Sequence, residues 1–255
     1  MLLAIDIGNS DITFGLHDAH QWSHVWRMPS DASRPDVFYG MRIRDYFFES
    51  RISEDGVEQV VISSVVPALA PKFQEIIRHV FDKEALVLGP EVYAALPVKT
   101  LNPYQIGADL VANAVAAWTR YNSDCVVVDF GTALTFTVVK DNQIHGVAIA
   151  PGVKTALRSL TENTAKLFEV PIEMPKSVFG KNTIHAIQSG ILFGYEGLVR
   201  GMVERIKAEI LNDKIPVIAT GGLSEVITPL EDVFTDRDLN LTLEGLRIVA
   251  TYAHA

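Results

Sequence analysis

Short apolar blocks separated by polar turns open the chain. Leu2–Ile7, Ile12–His17 and Trp22–Met28 have the length and side-chain content of strands, and predict a three-stranded meander. The spacing of Val37, Met41, Ile43 and Phe47 predicts a helix over Asp36–Ser50. Val57–Ser63 reads as a buried strand, Pro67 as the first turn of a helix reaching Phe81, and Ala85–Leu88 as another strand. A connection from Gly89 to Thr100 leads past Asn102-Pro103 to an Ala-rich helix over Ala108–Tyr121. The order then restarts, with strands over Asp124–Asp129, Leu134–Lys140 and Gln143–Ile149. A helix over Gly152–Phe168 and a Pro-bounded linker at Val170–Lys176 come next. A long helix over Thr183–Leu211 carries four glycines, Ile215–Ala219 forms a strand, and Thr242–Tyr252 forms a closing helix.

The restart extends to individual residues. Ile5-Asp6-Ile7-Gly8-Asn9-Ser10 is matched by Val128-Asp129-Phe130-Gly131-Thr132-Ala133, and the turns Asp18-Ala19 and Asp141-Asn142 lie at the same offset. One strand-Asp-x-Gly-turn-strand unit in each half predicts two similar lobes facing a shared cleft, divided near Trp118–Ser123. We therefore expect an N-terminal lobe over 1–118 and a C-terminal lobe over 119–255.

Composition narrows the class. The 255 residues are 48% hydrophobic and 21% charged, a globular balance with room for two cores. A net charge of −9 argues against a nucleic-acid or anionic-membrane surface, while leaving room for a nucleotide held by backbone N–H groups and a metal ion. The single cysteine, Cys125, lies in an apolar strand and reads as a buried, inert thiol. No signal-peptide pattern or long apolar span is present, so a cytoplasmic location is expected.

The chemistry concentrates in six segments. In Asp6-Ile7-Gly8-Asn9-Ser10 the carboxylate ends a strand where it can hold Mg²⁺ directly or through water, and Gly8 brings backbone donors close to a phosphate. The same residues also suit an ordinary hairpin with an Asx turn. Asp129-Phe130-Gly131-Thr132 repeats the logic, with Thr132 as a phosphate donor. Asp109 falls in the first turn of a helix, where it serves either as a dipole-compensating residue or as a base that orients an acceptor hydroxyl. That position predicts a lowered carboxyl pKa and an ionised group at neutral pH. Ala150-Pro151-Gly152 forms a strand-to-helix turn. Gly180-Lys181-Asn182-Thr183 opens a helix with Thr183 as its expected N-cap; the earlier glycine of a P-loop is missing. Thr220-Gly221-Gly222 is expected to be a strand-to-helix turn suited to close packing against an adenine or ribose. The seven histidines lack metal-ligand spacing, and no Gly-x-Ser-x-Gly elbow or Gly-x-Gly-x-x-Gly fingerprint occurs, which disfavours zinc enzymes, hydrolase triads and dinucleotide oxidoreductases.

Taken in order, Asp6–Ser10, Asn102–Asp109, Asp129–Ala133, Ile149–Gly152, Gly180–Thr183 and Thr220–Gly222 make the chain similar to type III pantothenate kinases, of the superfamily of acetate and sugar kinases, heat-shock ATPases and actin. The resemblance implies an α/β fold of two ribonuclease-H-like (actin-like ATPase) lobes with mixed sheets flanked by helices. It implies ATP-dependent phosphorylation of pantothenate, the first step toward coenzyme A. Carried onto this chain, it implies that Asp6, Ile7, Gly8, Asn9, Ser10, Asp11, Ile12 and Thr13 form the ATP-phosphate loop and that Thr132 contacts ATP. Asp109 is then the base, Thr100, Gly107, Ala108, Asp109, Leu110 and Thr183 bind pantothenate, and Asp129 holds a monovalent cation, K⁺ or NH₄⁺. Mg²⁺ accompanies the nucleotide, and the family works as a homodimer. Leu110 stands where the family usually has Arg, and Thr100 where it usually has Tyr. These departures keep two alternatives open: a kinase or ATPase for another small polar acceptor, and a non-catalytic ATP-binding regulator.

Overall fold

The computed structural model describes residues 1–252. The chain forms two compact units, one of Met1–Arg120 joined by the segment from Leu241, the other of Tyr121–Asn240.

In the first unit, β1 (Leu2–Ile7), β2 (Asp11–His17) and β3 (Trp22–Pro29) form the expected antiparallel meander, and β4 (Gln59–Ser64) and β5 (Ala85–Val87) add parallel strands in the order β3-β2-β1-β4-β5. Strand alternation divides β1 cleanly. Leu3, Ile5 and Ile7 enter a core with Phe14, Tyr39, Phe47 and Phe73, supplied by α1 (Asp36–Glu49) and α2 (Ala70–Phe81), whereas Ala4 and Asp6 point to the opposite face. The second helix starts three residues after the expected Pro67: Leu69 donates back to Val66 in a turn, and Pro71 takes the first helical turn instead. A short α3 (Pro90–Tyr93) lies in the connection that leads to α4 (Ala108–Tyr121), whose bounds match the expectation.

The closing helix α7 (Leu241–Tyr252), expected with the C-terminal half, packs instead on β1 and β4. The reason is a seat on α4: Thr242 donates to Asn113 Oδ1 at 2.8 Å, and Gly245 lies so close to the Ala112 carbonyl that no Cβ fits between them. Gln59 also donates to the Ala250 carbonyl.

The second unit repeats the topology. β6 (Cys125–Phe130), β7 (Ala133–Lys140) and β8 (Gln143–Pro151) form a meander, and β9 (Val217–Thr220) and β10 (Asp236–Arg237) add parallel strands in the order β10-β9-β6-β7-β8. Its core takes Val126, Val128 and Phe130 from one face of β6, together with Tyr195, Val199 and Val203 of α6 (Thr183–Ile210). Helix α5 (Val153–Glu162) stops well before the expected Phe168, because Asn163 and Thr164 turn their side chains back onto the Ser159 and Leu160 carbonyls. Asn182 rather than Thr183 caps α6, accepting from the His185 N–H at 2.9 Å. After Thr220 the chain enters successive turns instead of a helix, with the Ser224 hydroxyl bonded to the Gly221 carbonyl.

Candidate active site

The first turn joins β1 to β2. Its geometry follows from Gly8, whose N–H donates to the Asp11 carbonyl at 3.0 Å, and from Ser30, whose N–H holds the Ser10 carbonyl. Asn9, Ser10 and Asp11 are exposed at the turn. Ile7 and Ile12 are fully buried, which leaves only their backbone for any ligand. Asp6 stands opposite Thr13 on β2 and Ser63 on β4, and paired positions share a sheet face. The Ser63 hydroxyl is buried without a hydrogen-bond partner. A carboxylate beside an unsatisfied hydroxyl suits the oxygen-donor chemistry of Mg²⁺.

Asp109 occupies the first turn of α4, as expected, and its Oδ1 accepts the Leu110 N–H at 2.8 Å. A Cβ on Gly107 would collide with that same oxygen and approach Val65 just beyond β4, so Gly107 makes room for the carboxylate. The expected lowering of the pKa is overturned. Burial raises the Asp109 carboxyl above its ordinary range, outweighing the Leu110 and Asp109 backbone N–H groups that pull the other way. The nearby Tyr93 phenol is pushed up to about 12, first by its own burial and then by the charge of Asp109. Ala108 and Leu110 are buried within α4, and Thr100 is half-buried in the preceding connection.

In the second unit the β6–β7 turn is braced from outside. The Thr132 carbonyl accepts from both the Gly152 N–H and the Thr155 hydroxyl, at 3.0 and 2.7 Å, and the Tyr195 hydroxyl donates to the Pro151 carbonyl at 2.6 Å. Gly152 abuts the Gly131 and Thr132 carbonyls so tightly that a side chain is excluded. Thr132 itself is exposed at the turn. Asp129 projects from the β6 face opposite the apolar core. It pairs in register with Thr135 on β7 and Thr220 on β9. Gly221, with φ of +86°, closes over it; a Cβ there would lie 2.6 Å from Asp129 Oδ1. Among the described residues no group of three or more His, Cys, Asp or Glu converges on a common point. One carboxylate among hydroxyls is therefore the donor set here, with the Thr135 hydroxyl buried and unsatisfied, and it suits an oxygen-bound cation of low charge.

Thr183, the first residue of α6, is exposed on the rim of a cavity of about 660 Å³. Leu160, Leu167 and Ile191 form its apolar wall, and Lys181 and Asn182 its polar edge. Cys125 is buried as expected, its thiol pushed up to about 12 by burial and by Asp124.

Several contributors escape sequence reasoning. Thr155 on α5 bonds the second turn, Tyr195 on α6 bonds the end of β8 at Pro151, and the Ser63 hydroxyl is placed beside Asp6 only by the β1–β4 register. The one available signal is the spacing of Thr135 and Thr137 within apolar β7, which marks a polar stripe on one sheet face.

The family model of type III pantothenate kinases matches residues 2–205. A protein of Citrifermentans bemidjiense named type III pantothenate kinase is 40% identical over 250 residues, covering 98% of each chain. One of Exiguobacterium sp. with the same name is 38% identical over the same span, again covering 98% of each. Among solved structures, the ethanolamine utilization protein EutJ of Carboxydothermus hydrogenoformans aligns with a TM-score of 0.55 at 16% identity, over 97% of this chain and 89% of that one. Component A of the (R)-2-hydroxyglutaryl-CoA dehydratase of Acidaminococcus fermentans aligns with a TM-score of 0.56 at 12% identity, over 98% and 96%. These structural likenesses speak to the fold, two α/β units with mixed sheets flanked by helices.

Proposed function

We propose, starting from the fact that the chain belongs to the type III pantothenate kinase family, an assignment of its residues to the steps of one reaction. That reaction is the transfer of the γ-phosphoryl group of ATP to the hydroxyl of pantothenate, in coenzyme A biosynthesis. Asp109 takes the proton of the pantothenate hydroxyl as its oxygen bonds to the γ-phosphorus; the bond from phosphorus to the bridging oxygen breaks, and ADP leaves. The transition state is loose, so the main task of Asp109 is to hold and orient the hydroxyl. Its raised pKa makes it a better proton acceptor than an exposed carboxylate.

The turn from Asp6 to Thr13 binds the ATP phosphates through backbone N–H groups of its exposed residues, Asn9 to Asp11, and Thr132 contacts the nucleotide. Asp6 would hold Mg²⁺, and Asp129 would hold a monovalent cation, K⁺ or NH₄⁺. When bound, these ions offset phosphate charge as it redistributes. Thr100, Gly107, Ala108 and Leu110 border the pantothenate, the buried members through their backbone, and Thr183 contacts it. The protein acts as a homodimer in the cytoplasm. Among the described residues no helix is long and apolar enough to cross a membrane.

The observation that carries this reading is the setting of Asp109: a desolvated carboxylate in the first turn of α4, admitted by a glycine that leaves no room for a side chain. The test is formation of phosphopantothenate from ATP, Mg²⁺ and pantothenate in KCl. Asp109→Asn is expected to lower kcat by about 10²- to 10⁴-fold, the range for a lost general base. Turnover close to that of the unmodified protein removes Asp109 from the role.

A further inference from the structure

Among the described residues the Thr135 hydroxyl is one of four buried side-chain polar atoms without a hydrogen-bond partner, with His24 Nδ1, the Ser63 hydroxyl and Arg237 Nε, and the one that lies beside Asp129. Thr135 is 8% exposed, and its Oγ1 has no hydrogen-bond partner. A buried hydroxyl left unsatisfied carries a desolvation cost, so one that persists beside a carboxylate calls for a ligand. Strand register supplies the place. Thr135 on β7 stands opposite Asp129 on β6, and Thr220 on β9, 2% exposed, flanks Asp129 from the other side. All three side chains leave the same face of the sheet, away from the apolar core that takes Val128 and Phe130. Gly221 and Gly131 approach Asp129 Oδ1 closely with no side chain of their own.

We propose that the hydroxyls of Thr135 and Thr220 are ligands, with Asp129, of a monovalent cation, and that they set its preference for a large, weakly hydrated ion. The proposal rests on the cation role given to Asp129 above and adds the residues that define the seat. Its chemistry is that of the donors. A single carboxylate balances one positive charge, and neutral hydroxyl oxygens replace the water of an ion that sheds it readily, as in K⁺-selective sites built of neutral oxygens. β-branched threonine suits both needs: its methyl group packs in the strand while its hydroxyl is held on a restricted rotamer.

The test is the thermal midpoint of the full chain with Mg²⁺ and a non-hydrolysable ATP analogue, titrated with KCl against tetramethylammonium chloride at constant ionic strength. The unmodified protein is expected to rise in midpoint with K⁺, and less with Na⁺. Thr135→Val keeps the shape and removes the oxygen. It is expected to match or exceed the unmodified midpoint in tetramethylammonium, because an unsatisfied hydroxyl is gone, and to need at least 10-fold more K⁺ for the same rise. Thr135→Ser is expected to restore the K⁺ response, and Thr220→Val to weaken it. If Thr135→Val lowers the basal midpoint too far to be read, Thr135→Ala, compared with Thr135→Ser, serves in its place. A full K⁺ response in Thr135→Val or Thr135→Ala, with none in Asp129→Asn, overturns the proposal and leaves the role of Asp129 standing. A normal response in Asp129→Asn, or none in the unmodified protein, overturns both.

Discussion

Asp109 shows how two local effects compete at a single carboxylate. The start of a helix and a backbone N–H favour its charged form, while burial disfavours it, and burial prevails. The sign of the stability consequence follows. A carboxyl whose folded pKa lies above its unfolded value supports the fold most at low pH and loses that support as pH rises through the folded value. Asp109→Asn is therefore expected to melt higher than the unmodified protein at about pH 7 and to converge with it as the pH falls below the ordinary carboxyl value of about 4. A variant that melts lower at neutral pH contradicts the buried setting. Gly221 gives a second prediction at this scale. Its φ of +86° and the 2.6 Å that would separate an added Cβ from Asp129 Oδ1 exclude a side chain. Gly221→Ala is expected to cost about 2 kcal/mol or more in urea unfolding, combining backbone strain with a steric clash.

Among the elements, α6 shows that a helix starts where its first free N–H groups find a partner. Asn182 supplies that partner through His185, which leaves the Thr183 hydroxyl clear of capping duty at the cavity rim. Asn182→Ala is expected to destabilise the protein by about 1 kcal/mol, the usual value of such a cap, measured by chemical denaturation. An effect near zero means that the tertiary contacts of α6 alone hold its start. The Thr132 turn has a comparable dependence on other elements, since Gly152 and Thr155 pin its carbonyl from the start of α5.

For the whole molecule, the repeat in sequence is a repeat in topology: each unit builds a five-stranded mixed sheet with its Asp-x-Gly turn after the central strand. The chain closes the first unit with its own last helix, so residues far apart in sequence share one packing surface. Gly245 is the closest point of that surface, against the Ala112 carbonyl. Gly245→Val is expected to lower stability by about 1–3 kcal/mol, as overpacking does, and to speed proteolysis within the first unit before the second. Simultaneous cleavage of both units speaks against a local effect. Replacing K⁺ with Na⁺ in the kinase assay is expected to slow turnover; equal rates remove the cation from the reaction.

The amino-acid sequence determined the strands of both meanders, the bounds of α4, the doubled turn and the family, because each rests on local patterns or on residue identities in order. It misplaced the end of α5 and the partner of α7, because Asn163, Thr164 and Gly245 act through contacts that periodicity does not encode. Only the tertiary structure decided the direction of the Asp109 pKa shift and the company of Asp129. Burial and strand register are properties of neighbours, and Thr135 and Thr220 become neighbours of Asp129 only when three strands, one of them distant in sequence, align.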